Sequence, residues 1–322
     1  MTPKEIVLRT LEFRNPERMA MRLADGFTND FDGFSMNPHI DARPNGKGQQ
    51  RDEWGALWNN IGISRLGEVI EYPLASWDSF ATYRFPDILD PKRWEHLQQR
   101  PPEVDDQKFV CVGGLSLYER IHFLRGLENT WTDIYLESDN LHRLLDKLVE
   151  MNLEAMPRFQ ALGADGFVFC DDWGLQNKLM ISPDKWMEFW FEAYRRVYEA
   201  AHRHGMKTLL HSCGYIVDIL DPLIEAGLDA ILMDQQCNMS LELLSRYKGR
   251  ITFCCPVDIQ AVMPRNDLVE IREYCHKLFE SLGSEKGGFI ADYYRDPVGA
   301  GHTPEAVQAM CEEFEKIGRW GV

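Results

Sequence analysis

A (β/α)8 barrel with an N-terminal elaboration over its mouth is the α/β fold class this sequence predicts, and three features of the chain predict it. From about residue 109, short apolar runs ending in Gly or Asp alternate with longer stretches of helical period. The apolar runs are continuous rather than alternating, as in parallel strands covered by helices. Six such strand-then-helix units occupy the last two-thirds of the chain, and the earlier part leaves room for two more. The rival arrangement, an open doubly wound sheet, usually carries a Gly-rich phosphate loop after its first strand. Neither G-x-G-x-x-G nor G-x-x-x-x-G-K-[ST] occurs.

In chain order, Thr2-Pro3-Lys4-Glu5 reads as a capping box with Pro at the first helical position, and Ile6, Val7 and Leu11 are the apolar positions of the helix that follows. Between residues 26 and 105 every periodic run is broken by Gly, Pro, Asn or Asp, as at Asn37-Pro38, Arg43-Pro44-Asn45-Gly46 and Arg100-Pro101-Pro102. Loops, short helices and a hairpin are expected there. Strands are expected at Phe109–Val112, Gly166–Cys170, Thr208–His211, Ala230–Met233, Ile251–Cys254 and Gly288–Ala291. The helices between and after them are Leu117–Arg125, Leu141–Leu162, Ser182–His204, Ile216–Ala226, Leu241–Tyr247, Asp267–Leu282 and Pro304–Ile317. With no internal repeat, the chain reads as a single domain over residues 1–322: residues 1–105 form the elaboration and first barrel elements, and 106–322 the regular units.

Composition narrows the function classes. The 322 residues include 35 Lys+Arg against 51 Asp+Glu, a formal charge of −16 with no basic run, so nucleic acid and anionic membrane surfaces are not expected partners. No stretch of about 18 apolar residues occurs, and the first residues lack the apolar core of a signal peptide. Eight irregularly spaced cysteines fit a reducing compartment, and the expected location is the cytoplasm. A homodimer is compatible with such a chain.

In a barrel of this kind the chemistry sits at the C-terminal ends of the strands, so the residues after each apolar run carry the argument. His211 and Cys213, two residues apart at a strand end, project to one side and are both good zinc ligands. A third ligand must come from another strand. Cys255, ending Phe253-Cys254-Cys255-Pro256, is the candidate, with Cys254 pointing away. The plainer alternative is that Cys213 and Cys255 are buried core thiols and His211 a hydrogen-bonded core histidine. Cys111, Cys170, Cys237, Cys275 and Cys311 read as core or surface positions.

Asp171 and Asp172 follow an apolar run directly and are candidates for metal binding, for orienting a histidine or for proton transfer; a loop start and helix cap is the alternative. Asp184 is explained by Ser182 as cap and Pro183 at the first helical position. Gln235, Gln236 and Asp258 are positioned either to orient a polar substrate or to tie loops together. His302 lies on a Gly-rich loop near the mouth and either faces a ligand or is solvated. Trp54 belongs with Trp58, Trp77, Phe80 and Tyr83 to an aromatic cluster that either covers a ligand or packs the elaboration onto the barrel.

Leu209-Leu210-His211-Ser212-Cys213-Gly214, Asp171-Asp172-Trp173-Gly174, Ile181-Ser182-Pro183 and Cys255-Pro256-Val257-Asp258-Ile259-Gln260 together resemble the uroporphyrinogen decarboxylase superfamily, specifically its corrinoid-dependent methyltransferase branch. The resemblance runs from Asp52-Glu53-Trp54-Gly55 to the last helix and implies a (β/α)8 barrel. It implies zinc on His211 and Cys213. Members that activate a thiol acceptor carry a further cysteine in a Gly-rich segment near the C-terminus; here Gly287-Gly288-Phe289-Ile290 has none, and Cys255 is the replacement candidate. That departure favours the other half-reaction, in which zinc polarises the ether oxygen of a small methyl donor, a methoxylated aromatic compound, while cobalt(I) of a corrinoid protein attacks the methyl carbon. Asp171, Asp172 or His302 would protonate the product, and Trp54 and its aromatic neighbours would hold the ring.

The motif D-x-H-x-x-G for corrinoid binding is absent, so the corrinoid would come on a separate carrier protein. Decarboxylation fits less well, because Met21-Arg22-Leu23-Ala24-Asp25-Gly26-Phe27 does not preserve the arginine-rich segment with which the decarboxylase grips its substrate. A non-enzymatic tetrapyrrole or corrinoid binding protein on the same barrel is the remaining alternative.

Overall fold

The computed structural model describes residues 1–35, 48–60, 62, 67–97 and 105–319. The breaks at Asn37-Pro38, Arg43–Gly46 and Arg100–Pro102 lie outside the described residues. Helix α1 (Pro3–Leu11) begins where its capping box requires, with the Thr2 side chain accepting from the Glu5 N–H. Its apolar face turns into the barrel rather than onto the surface: Ile6, Val7 and Leu11 pack with Phe31, Phe109, Leu209, Ala230, Cys254 and Ile290. Bonds from the Gly288 N–H and the Thr252 hydroxyl to the Thr10 carbonyl place α1 at the N-terminal ends of the strands, closing the bottom.

Eleven strands are described: β1 (Ala20–Arg22), β2 (Phe31–Phe34), β3 (Gly48–Arg51), β4 (Leu57–Asn60), β5 (Glu68–Glu71), β6 (Phe109–Gly113), β7 (Gly166–Cys170), β8 (Lys207–His211), β9 (Ala230–Leu232), β10 (Thr252–Cys255) and β11 (Phe289–Asp292). Eight of them form one sheet in the order β1-β11-β10-β9-β8-β7-β6-β2, with every ladder parallel. β1 and β2 stand at its two ends and are brought together by the Asp30 N–H to Met21 carbonyl bond of 2.8 Å. The result is a nearly closed (β/α)8 barrel, as the sequence predicts. The hairpin expected in the irregular part is instead a three-stranded antiparallel sheet, β3-β4-β5.

The helices after α1 are α2 (Pro91–Trp94), α3 (Tyr118–Arg125), α4 (Leu127–Leu136), α5 (Ser138–Ala161), α6 (Pro183–Trp186), α7 (Glu192–Arg203), α8 (Val217–Ala226), α9 (Leu241–Leu244), α10 (Leu268–Leu282) and α11 (Pro304–Ile317). The helix expected over 182–204 is interrupted by a π-helical turn, Met187–Phe191. Helix α4 has no counterpart in the sequence reading, because Asn129, Thr130 and Thr132 are weak helix formers. Tertiary contacts outweigh that preference: Ile134 is buried and Arg125 Nε pairs with Asp133 at 2.8 Å, while the Thr130 and Thr132 hydroxyls are satisfied by carbonyls four residues back. Among the described residues, no helix is long and apolar enough to cross a membrane.

Candidate metal centre

Three neighbouring strand ends build the site. In the parallel ladder, registered residues lie side by side on one face of the sheet; Cys170 of β7 is registered with His211 of β8, and His211 with Leu232 of β9. Two residues further along each chain come Asp172, Cys213 and Asp234, so five donor side chains converge on the mouth. His211 Nε2 lies 3.3 Å from Cys213 Sγ and 3.9 Å from carboxylate oxygens of both Asp172 and Asp234. The donors fall into two triads that share His211: His211, Cys213 and Asp234, and Cys170, Asp172 and His211, each with its ligand atoms within 4.8 Å of one another.

The backbone around these side chains is held tightly. The Asp171 N–H donates to the His211 carbonyl at 3.0 Å, the Ser212 N–H to Leu232 at 3.1 Å, and Asp172 Oδ1 accepts from the Cys213 N–H at 2.8 Å. Both turns end in glycine for a steric reason. Gly214 has φ +74°, and a Cβ there would lie 2.3 Å from the Gly174 carbonyl oxygen. The turn after β7 and the turn after β8 thereby touch backbone to backbone.

Among the described residues, the donor cluster contains no Lys or Arg. Burial pushes Asp234 up to about 6, with His211 and Arg22 acting against the rise and Asp292 and Asp172 adding to it. Burial, then the charges of Asp172 and Asp234, push the Cys213 thiol up, and burial with Glu119, Asp172 and Asp171 does the same to Cys170. The nearby guanidinium of Arg22 is committed to Asp292 through a two-pronged pair. Imidazole, thiol and carboxylates brought together in this way are a donor set that a borderline-soft divalent ion satisfies, releasing the thiol proton as it binds.

Residues 121–317 match the family model described as uroporphyrinogen decarboxylase (URO-D). The chain belongs to the URO-D family. No curated protein matches its sequence. Among solved structures, this URO-D family member is similar to a methyltransferase from Methanosarcina mazei, with a TM-score of 0.60 and 15% identity over 82% of this chain and 76% of that one. That likeness is one of fold. More distant are the IOLI protein with a bound zinc atom (TM-score 0.36, 14% identity, 53% of this chain and 69% of that one) and the xylanase TsXylA from Thermoanaerobacterium saccharolyticum (TM-score 0.38, 14% identity, 58% and 66%).

One ligand expectation for this URO-D chain is corrected by register. Cys254 pairs with Leu232 and Ile290, two barrel-interior residues, so Cys254 faces inward and Cys255 outward into the layer between strands and helices. Cys255 is fully buried there, bonded to the Gln236 side chain, and is not among the donors gathered at His211. β10 is also not the neighbour of β8, since β9 runs between them.

The other expected site residues divide. Asp172 stands at the mouth beside His211, about a third exposed. Asp171 points the other way, fully buried, accepting from the Leu117 and Glu119 N–H groups at 3.1 and 2.8 Å and from the Tyr194 hydroxyl at 2.7 Å, so that it caps α3. His302 is buried, and its Nε2 meets the Ile259 carbonyl at 3.1 Å. Gln235 accepts from the Gly214 N–H, Gln236 donates to the Met233 carbonyl, and Asp258 accepts from the Cys237, Gln260 and Ala261 N–H groups. These three side chains tie loops together. Trp54 is buried within the elaboration, its ring under the Arg120 guanidinium at 4.4 Å and its carbonyl bonded to the Tyr83 hydroxyl.

Cys170 and Asp234 were not among the metal ligands expected from sequence. The signal that would have found them is the spacing already used for His211 and Cys213. Cys170 and Asp172 repeat it on the preceding strand end, and Leu232 and Asp234 on the next.

Proposed function

We propose that this URO-D family member is a zinc-dependent methyltransferase, which passes a methyl group from a small methylated donor, a methoxylated aromatic compound, to the cobalt(I) of a separate corrinoid protein docked over the mouth. The observation that carries this reading is the triad His211, Cys213 and Asp234. Ligands of tetrahedral zinc lie about 3.3–3.8 Å apart, and His211 Nε2 is 3.3 Å from Cys213 Sγ and 3.9 Å from Asp234 Oδ2. Mixed nitrogen, sulfur and oxygen donors suit that ion, and three protein ligands leave a position for a substrate oxygen. Family membership and the fold shared with the M. mazei methyltransferase are consistent with it.

Zinc bound there would polarise the donor's ether oxygen, lowering the barrier to loss of the methyl group. The chain's own residues do the rest. Asp172 fixes the Cys213 backbone by accepting its N–H and, facing the mouth, would relay a proton taken from solvent to the leaving oxygen. Asp171, bonded to Tyr194, which in turn accepts from the Trp173 indole at 2.9 Å, holds the turn that carries Asp172. The Gly174–Gly214 contact fixes the two turns against each other, so Cys213 and Asp172 keep their relative positions.

Zinc content of the freshly purified protein, followed by methylation of a cobalt(I) corrinoid carrier with methoxylated aromatic donors, tests the reading. About one zinc per chain, lost in His211→Ala, together with donor-dependent formation of methylcobalt(III), is the expected result. Wild-type protein that holds no zinc, or that is zinc-loaded and methylates no carrier with any such donor, overturns it.

A further inference from the structure

His211 has a thiol on either side of it. Cys213 follows two residues later on the same strand end, and Cys170 is its registered partner on β7. Registered neighbours on a parallel ladder project to the same face, so Cys170 enters the mouth rather than the helix layer. Its thiol is half-buried, with Asp172 Oδ1 3.9 Å from Sγ, and Cys170, Asp172 and His211 form the second compact triad. The other inward-facing thiols are differently placed: Cys254 Sγ sits 3.6 Å from Asp292 Oδ2, and Cys111 lies beside Arg22. Cys170 alone of these shares His211 with the triad assigned to zinc.

We propose that Cys170 is a second thiolate ligand of the metal centre, filling in the resting protein the coordination position that the methyl donor's oxygen takes. The inference rests on the zinc reading above and deepens it. Cys170 is the donor suited to exchange because it shares His211 with that triad yet lies outside the His211–Cys213–Asp234 group, so that its side chain must move to join the ion. Turned back, its sulfur has Asp172 as a partner. Each thiol that becomes a ligand gives its proton to solvent, and one that leaves the ion takes a proton back. With Cys170 engaged, two thiolates, one carboxylate and a neutral imidazole surround the ion, and water is kept from the fourth position until a donor arrives.

Cobalt(II) in place of zinc reads the number of thiolates directly, through the thiolate-to-cobalt absorption in the near ultraviolet. The comparison is between wild type, Cys170→Ser and Cys213→Ser, with metal content measured on each. Cys170→Ser should still bind one ion per chain but lose about half of that absorption, since one of two thiolates is gone. An unchanged band in Cys170→Ser with full cobalt content overturns the proposal and leaves the zinc reading standing. Wild type that takes up neither cobalt nor zinc overturns both. A second measurement avoids variants: alkylation of wild type with iodoacetamide, read by peptide mass, should find both Cys170 and Cys213 protected by zinc. Protection of Cys213 alone overturns the proposal.

Discussion

The Gly174 carbonyl oxygen and Gly214 meet so closely that a Cβ on Gly214 would sit 2.3 Å from that oxygen, which joins the turns after two neighbouring barrel strands at one backbone contact. Gly214 also has φ +74°, a region that residues with a Cβ rarely adopt. Gly214→Ala combines strain with a clash against backbone and is expected to cost about 1–3 kcal/mol or more in stability. Because Cys213 precedes it, zinc content should fall as well. Denaturant unfolding alongside metal analysis checks both, and an alanine variant with wild-type stability would show that the turns can separate without harm.

Register distinguishes two cysteines that the sequence alone leaves equivalent. Cys213→Ser and Asp234→Asn are expected to reduce zinc content or affinity, whereas Cys255→Ser should keep the wild-type zinc content, since its thiol faces the helix layer. Equilibrium competition with a chromogenic chelator measures all three. Loss of zinc in Cys255→Ser with the fold intact would contradict the orientation of β10.

Arg22 and Asp292 close the β1–β11 side of the mouth, with side chains 20% and 5% exposed. Arg22→Ala leaves an uncompensated carboxylate in a buried setting and should destabilise the protein by about 3–5 kcal/mol. Replacing both partners by apolar residues, Arg22→Met with Asp292→Leu, should recover most of that loss. Unfolding free energies of wild type, Arg22→Met, Asp292→Leu and the double variant give the coupling directly.

Asp229 supplies a pH dependence at the opposite end of the barrel. Burial raises its pKa, but the bonds from His202 and the Thr208 N–H, with Lys207 nearby, outweigh this and hold it below the usual value. A folded-state pKa below the unfolded one means a stabilisation present above the unfolded pKa of about 3.9 and lost as pH falls through the folded value. Asp229→Asn should therefore be less stable than wild type near neutral pH, by about 1.5–3 kcal/mol for a hydrogen-bonded charge. The gap should shrink as the medium is acidified below about pH 4. Thermal unfolding of both proteins between pH 3 and pH 8 checks this, and a constant gap would exclude the Asp229 charge as its source.

The alternation of apolar runs and helical stretches after residue 109 was enough to locate six strands and most helices, because a parallel barrel writes each unit as a contiguous segment. The elements not placed from the sequence include β1, β2, α4 and the sheet β3-β4-β5: β1 and β2 pair with β11 and β6, far along the chain, whereas α4 is anchored by the nearby Arg125–Asp133 pair and burial of Ile134, and β4 pairs on both sides within residues 48–71. Local propensity carries no record of such contacts.

At the site, His211 and Cys213 were legible because two residues of one strand end are related by spacing alone. Residues on different strands are related by register and strand order. All four residues of β10, Thr252–Cys255, are buried, so no contrast of polar and apolar positions marks its inward face, and the choice between Cys254 and Cys255 is invisible along the chain. The ladder with β9 and β11 makes that choice, as the pairing of β7 with β8 brings Cys170 to His211. Periodicity within a segment is a one-dimensional property and was readable as such. Which face meets which neighbour is set by hydrogen bonds between segments tens of residues apart, and only the assembled barrel contains them.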